Sequence, residues 1–148
     1  MSERLTAGLR VIVLNIPCLP NLDLSANRRR SRHFMQQAED TKAERLNAGL
    51  LLAQARRNIN PAYDAGPRTL ATPVALAWTL CWPKGTRARD ADGCADLCKP
   101  WIDAMKDLGW LPNDSPRYVR QVSYESIASS PKGPSMQLVI YGLRPWDE

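Results

Sequence analysis

Three aspartates and a lysine in the second half of the chain have the chemistry of a divalent-cation site beside a phosphate. Asp90 and Asp92 are separated by one residue and follow an apolar run, and Asp114 lies in a later loop. Mg²⁺ prefers hard oxygen ligands and commonly takes one or two protein carboxylates, which leaves positions for water and a phosphate oxygen. Lys99 supplies a cation that could neutralise charge developing on that phosphate. These residue types predict metal-assisted chemistry on a phosphate ester.

The positions of the aspartates require particular elements around them. We expect Asp90 and Asp92 to lie in an extended segment, where residues two apart point to the same side of the backbone. The helix that follows advances about 15 Å over ten residues, and the chain from Gly109 to Asp114 spans about 16 Å when extended. Asp114 can therefore return to the pair. Paired aspartates before a helix are also common as caps, and Lys99 could equally be a solvated surface lysine.

The alternation of apolar runs and polar loops predicts an α/β (α+β) fold in the order β-α-β-α-β-β, with helices packed on a mixed sheet. All 148 residues are assigned to one domain, with residues 1–9 and 144–148 as loose tails. We expect strands at 11–16, 74–82, 118–124 and 136–141, the last two joined by a hairpin-type linker at 129–134.

Two helices complete this prediction. The first covers about 34–58, where Leu46, Leu50 and Ala53 recur along one apolar face. The second ends at Gly109. Because proline is tolerated in the first helical turn, Pro100 predicts a start near residue 97, with residue 96, an aspartate, as the N-cap.

The charge balance favours an anionic partner. The chain has 20 Lys and Arg against 15 Asp and Glu, a net charge of +5, and a pI near 9.3. The basic side chains predicted to contact nucleic-acid phosphates are Arg28, Arg29, Arg30, Arg32, Lys84, Arg87 and Arg89. The four clustered arginines could equally belong to a solvated loop. Most tryptophans lie on apolar faces and are predicted core residues, whereas Trp110, near Asp114, is a candidate for stacking on a base.

Several other classes of protein are disfavoured. No apolar stretch approaches the roughly 20 residues that cross a bilayer, and the first residues lack the apolar region of a secretory signal. We expect a cytoplasmic protein with free thiols and no small-molecule cofactor. A zinc site from Cys81, Cys94, Cys98 and His33 is conceivable, but the spacing matches no strong zinc pattern.

One block of the sequence resembles the RusA-type Holliday junction resolvases, in particular their phage-borne branch. In that family an arginine-rich loop runs into Asp-x-Asp-Asn, a helix carries a lysine, and a glycine-containing helix end leads to Asp-Asp. The resemblance spans about 11–141 and is most specific between 89 and 114. It rests on Arg89-Asp90-Ala91-Asp92-Gly93, Lys99, Asp103-Ala104-Met105, Leu108-Gly109 and Asn113-Asp114, and on the start Pro17-Cys18-Leu19-Pro20-Asn21.

The resemblance implies a RusA-like fold and a function. By that likeness Asp90, Asp92 and Asp114 are catalytic ligands of Mg²⁺, with Mn²⁺ able to substitute, and Lys99 assists at the phosphate. The protein would be a homodimer that makes paired cuts in four-way DNA junctions during recombination or repair, leaving 5′-phosphates. A two-fold symmetric dimer matches the approximate two-fold symmetry of a junction.

The sequence departs from the family pattern at two positions. Gly93 replaces the asparagine that follows the second aspartate, and Asn113 replaces the first residue of the Asp-Asp pair. Two alternatives stay open. One is an accessory protein that binds junctions without cutting them, favoured by Gly93. The other is a metal nuclease for flaps, hairpins or RNA, because a carboxylate-metal centre does not itself select the shape of a nucleic acid.

Overall fold

The computed structural model of the chain describes residues 3–6, 9–22 and 34–143. The described part is a small α+β domain in which helices pack on a mixed sheet, as the sequence predicts. No helix in these ranges is both long enough and apolar enough to cross a membrane. The strands are β1 Glu3–Thr6, β2 Leu9–Ile16, β3 Val74–Cys81, β4 Val119–Ile127 and β5 Ser135–Gly142, and the helices are α1 Phe34–Ile59, α2 Ala91–Asp107 and a 3₁₀ turn Tyr63–Ala65.

The strands form one sheet in the order β1-β2-β5-β3-β4. Strands β3 and β4 are parallel neighbours joined through α2, and the other neighbouring pairs are antiparallel. The predicted β4–β5 hairpin is wrong, because β3 lies between these two strands. Their linker crosses the end of β3, where the Ser130 N–H donates to the Trp82 carbonyl at 2.8 Å. β5 is thereby paired on both edges. Its side chains alternate between buried and more exposed positions, as expected for an antiparallel strand with one face on the core.

The helices cover one face of the sheet. Leu76, Trp78 and Leu80 of β3 are buried on that face, and Trp78 meets Trp101 of α2 edge to face with ring centroids 6.5 Å apart. α1 packs against α2 and β2, and α2 packs against β4. The parallel pair β3 and β4 therefore directs its carboxyl ends, and the loop that leads into α2, to the same edge of the domain.

The apolar face of α1 differs from the predicted one. Leu46 and Leu50 are 65% and 73% exposed, whereas Ala53, the third residue of the predicted face, is buried. The other buried positions include Ala48 and Leu52. Both sets have helical spacing, so periodicity alone does not choose between them. The buried set is rich in alanine, which lets the helix lie close to its neighbours. The stripe through Leu46 and Leu50 is left on the surface.

The start of α2 also differs from the prediction. The helix begins at Ala91 with Asp90 as its N-cap, so neither Asp96 nor residue 97 marks its start, and Pro100 lies inside it. Proline there removes one backbone donor without ending the helix, because burial of residues on both sides, Leu97 and Trp101 among them, outweighs that loss. At the amino terminus, residues 3–6 form a strand rather than part of a loose tail. Residues 144–148 lie outside the described residues.

Candidate functional site

The acidic pair lies at the amino end of α2. Asp90 has extended backbone angles (φ −62°, ψ 157°), and its carboxylate makes no capping hydrogen bond; its backbone carbonyl accepts from the Cys94 N–H at 3.1 Å. Asp92 is in the first helical turn, and both side chains are exposed. The predicted extended placement is therefore right for Asp90 and wrong for Asp92, since the helix starts earlier than expected. Within the described residues, two carboxylates thus have no partner at the positive end of a helix dipole, which favours negative charge.

A short hydrogen-bond chain fixes this end of α2 to the sheet. The Trp82 Nε1–H donates to the Ser126 hydroxyl at 2.9 Å, and that hydroxyl donates to the Arg89 carbonyl at 2.5 Å. Trp82 is fully buried at the end of β3, and Ser126 belongs to β4. The residue that precedes Asp90 is thereby held by both parallel strands. Sequence reasoning did not identify Ser126, because a single serine in a strand carries no spacing signal.

Farther along α2, Lys99 and Asp114 form an ion pair. Their side chains contact each other directly, and Lys99 also lies 3.5 Å from Asp103. The Lys106 Nζ lies 3.0 Å from the Asp103 Oδ1 and 3.9 Å from the Asp114 Oδ1. The hydrogen bond from Lys99 holds the pKa of the Asp114 carboxyl below its usual range, and the same contact raises the pKa of Lys99. Asp114 therefore stays ionised at neutral pH.

The loop that carries Asp114 begins at a buried anchor. Trp110 is fully buried, and its Nε1–H donates to the Tyr63 hydroxyl at 2.7 Å. The Arg56 guanidinium lies 4.9 Å from the Trp110 ring centroid and 5.2 Å from that of Tyr63, and it donates to the Arg68 carbonyl at 2.8 Å. The expectation that Trp110 is available to stack on a base is wrong. Its function in this structure is to fix the start of the loop.

The two departures from the RusA-like pattern have different structural settings. The Asn113 side-chain oxygen accepts the Ser115 N–H at 2.9 Å, which forms a turn around Asp114. An aspartate accepts that bond equally well, so the asparagine preserves the loop shape. At Gly93 an added Cβ would meet nothing closer than the Arg89 Cβ, at 3.7 Å. This position has room for a larger side chain.

The predicted metal ligands are brought together only in part. Asp90 and Asp92 share the start of α2, but Asp114 pairs with Lys99, which stands two helical turns, or about 10 Å, beyond Asp92 on the same face. Within residues 3–6, 9–22 and 34–143, no group of three His, Cys, Asp or Glu side chains is arranged to hold a metal ion. The expected three-carboxylate cluster is therefore not assembled in this arrangement.

The predicted basic residues fall into two groups. Arg28, Arg29, Arg30 and Arg32 lie outside the described residues. Lys84 and Arg87 are exposed in the loop between β3 and α2. The Nε–H of Arg89 is buried with no hydrogen-bond acceptor in the described part of the chain. Buried charged donors are normally satisfied, so this donor, one residue before Asp90, is an exception within the described residues.

The cysteines show no metal-binding arrangement in the described part of the chain. All four are free, and burial raises the pKa of Cys94 and raises that of Cys98 well above the ordinary thiol value. Protonated thiols are poor metal ligands. His33, the remaining member of the conceivable zinc set, lies outside the described residues.

An open cavity of about 660 Å³ lies at the carboxyl ends of β3 and β4. A row of polar side chains crosses its floor on the sheet face opposite the helices: Asn15, Gln137, Thr79 and Glu125. The Gln137 amide donates to the Asn15 side-chain oxygen at 3.2 Å. The sequence alone did not reveal this row, because its members come from four strands.

Comparison of the chain with protein-family models and with curated proteins found no match.

Proposed function

We propose that the protein is a Mg²⁺-dependent endonuclease that cuts branched DNA, with four-way junctions as its preferred substrate, and that it acts as a RusA-like homodimer. One observation carries the proposal. The residues of the RusA-like block lie along a single helix and its adjoining loops. Two exposed carboxylates stand at the amino end of α2, and a lysine-bound carboxylate lies on its exposed face.

The donor set of Asp90 and Asp92 suits Mg²⁺, because this ion is commonly held by one or two carboxylates together with water and phosphate oxygens. Both side chains are exposed, and the N-cap residue Asp90 makes no capping hydrogen bond through its carboxylate. Asp114 would be the third ligand by resemblance. When bound, Mg²⁺ supplies Lewis-acid polarisation of the phosphodiester.

The chain's own cations would position the phosphate. The positive end of the α2 dipole favours an anion beside Asp90. Lys99, which is 54% exposed, can reach an incoming phosphate oxygen and offset charge in the transition state. Lys84 and Arg87 would bind the neighbouring backbone, which gives affinity without sequence readout.

The test is cleavage of a synthetic four-way junction by the purified full chain with Mg²⁺, Mn²⁺ or EDTA. We expect paired symmetric nicks with either metal, little cutting of linear duplex and none with EDTA. Asp90→Asn should abolish cutting and preserve binding. Asp96→Asn is the matched control, because Asp96 is an exposed aspartate one turn beyond Asp92 with no assigned function. Equal loss of cutting in both variants, or no cutting by the unaltered protein, would contradict the proposal.

Binding gives a separate measurement. Removal of one cation that binds a phosphate should reduce the slope of log affinity against log salt by about 0.9 for duplex DNA. Lys84→Gln with Arg87→Gln should therefore reduce that slope by nearly 2. An unchanged slope would exclude this loop from the binding surface.

One observation favours the accessory protein as a second candidate. Asp114 is engaged by Lys99 rather than placed with Asp90 and Asp92. An accessory protein would bind the junction with the same salt dependence but leave it uncut with either metal. Faster cutting of flaps, hairpins or RNA than of junctions would instead assign the protein to another nuclease class.

A further inference from the structure

The exposed face of α1 carries two large apolar side chains in the middle of a long helix. Leu46 and Leu50 are 65% and 73% exposed and lie one turn apart on the same face. Gly49 lies beside them, and a Cβ added there would meet nothing within 4 Å. The surface around the leucines is therefore open and allows another helix to approach closely.

The charges on this face are placed symmetrically about the leucines. Glu39 lies seven residues before Leu46, and Arg57 lies seven residues after Leu50. Seven residues are two helical turns, so each charge stands about 10 Å from its leucine along the same stripe. Acid, leucine, leucine and base thus follow one another along α1.

This order is complementary to itself when one copy is reversed. An antiparallel α1 pair with its two-fold axis midway between Leu46 and Leu50 brings each Leu46 to Leu50 of the partner subunit. The same axis brings each Glu39 to Arg57 of the partner subunit, which gives two equivalent ion pairs. A parallel pair would instead set glutamate against glutamate and arginine against arginine. The charges therefore select the antiparallel arrangement.

Arg57 can bind Glu39 of the partner subunit although it already contacts Asp64 of its own chain. Its Nε and Nη2 donate to that carboxylate at 2.8 and 3.1 Å, and the side chain remains 41% exposed. The donors on Nη1 are not used in this contact, so a second carboxylate can bind to the other edge of the guanidinium. Glu39 is exposed on the first third of the helix.

We propose that α1 is the dimerisation surface of the protein, packed antiparallel against α1 of a second copy. The partner is a second copy because the charge order matches its own reverse. The open sheet face is the competing surface and carries Val13, Val139 and Tyr141, the last 39% exposed. Among the side chains that the structure describes on this face, no comparable symmetric set of charges is present. The inference does not depend on nuclease activity, although such a dimer would place two sites about a two-fold axis.

The first test measures the molecular mass of the full chain by sedimentation equilibrium without DNA or added metal. We expect a dimer whose Kd rises more than about 100-fold in the Leu46→Lys/Leu50→Lys variant, because four leucines leave the interface. Circular dichroism should be unchanged, since both positions are exposed. Tyr141→Lys is the matched control on the sheet face and should leave the dimer intact. A monomeric unaltered protein, or dissociation by Tyr141→Lys alone, would overturn the proposal.

The second test determines the relative orientation of the two α1 helices in the dimer. Chains carrying Glu39→Cys and chains carrying Arg57→Cys are mixed and treated with a short bifunctional maleimide. An antiparallel pair gives cross-links between the two kinds of chain, whereas cross-links within each kind would refute the alignment. Glu39→Arg should weaken the dimer roughly tenfold, because two attractive exposed pairs become repulsive. Neither measurement involves DNA cleavage. A monomer would therefore also contradict the proposed homodimer, whereas the cleavage activity is decided by its own assay.

Discussion

Gly93 stands where the pattern of the RusA-type resolvases has asparagine, and we expect the replacement of Gly93 by alanine to stabilise the protein. The residue is in the first turn of α2, three positions after the N-cap Asp90. An added Cβ would lie 3.7 Å from the Arg89 Cβ, an ordinary van der Waals distance, and the backbone there is helical rather than left-handed. Alanine therefore fits without strain and restricts the unfolded chain.

The size of the effect follows from helix propensity. Glycine inside a helix is about 0.8–1.0 kcal/mol less favourable than alanine. Because Gly93 is in the first turn, we expect Gly93→Ala to raise the free energy of unfolding by about 0.5–1 kcal/mol, which corresponds to a rise in Tm of roughly 1–4 °C. Gly93→Asn should gain less, since asparagine is a weaker helix former than alanine.

Thermal unfolding followed by circular dichroism, together with junction cleavage, separates the two consequences. Gly93→Ala should be the more stable variant, and Gly93→Asn the more active one, because the resemblance implies an amide side chain at this position. A lower Tm for Gly93→Ala would refute the inference that the position has room for a side chain. Equal cleavage rates for the two variants would show that the asparagine has no part in the chemistry.

Three further outcomes follow from individual contacts. Tyr63→Phe leaves the buried Trp110 N–H without its acceptor and should lower stability by about 1–3 kcal/mol in urea unfolding. Hydrogen bonds from Arg45 hold the pKa of Asp107 below its usual range. The pair therefore stabilises the fold at pH values above the ordinary carboxyl pKa, and this contribution is lost as the pH falls through the lowered pKa of Asp107. Carbon-detected NMR should show that the pKa of Asp107 rises in Arg45→Met. Burial raises the pKa of Tyr124 to about 12, so its phenol should resist ionisation in an absorbance titration, and stability should fall as pH rises from about 10 towards that value.

The fold was largely predictable because its strands are strongly patterned. The apolar run that forms β3 alternates between buried and partly buried positions. Two prolines and a polar stretch of sequence separate β2 from α1. Pairing was harder to predict. A turn-rich linker such as 129–134 favours a hairpin locally, yet β5 gains two neighbours by lying between β2 and β3. The sequence of the linker does not indicate that β5 will pair with two distant strands.

The same competition between local and distant interactions explains the mistaken helix start. Pro100 is a local signal that places the helix start near residue 97. The observed helix extends six residues further towards the amino terminus, because the Trp82–Ser126–Arg89 hydrogen bonds hold its first turn against β4. This earlier start turns the expected extended aspartate pair into an N-cap and a first-turn residue. The residue types of the site were thus predictable, whereas their geometry depended on a serine 34 positions beyond Asp92.

Asp114 illustrates how the two proposed functions share one geometry. Its loop is fixed at the start by Trp110 and shaped by the Asn113 turn, whereas its contact with Lys99 joins two substantially exposed side chains. An exposed ion pair contributes at most about 1 kcal/mol, far less than the buried anchor that holds the loop. The pair is therefore the weak restraint on Asp114, and the loop is the strong one. Lys99 holds the ionised carboxylate on the exposed face of α2, which is the placement required of a cation ligand and equally of a purely structural partner for the lysine.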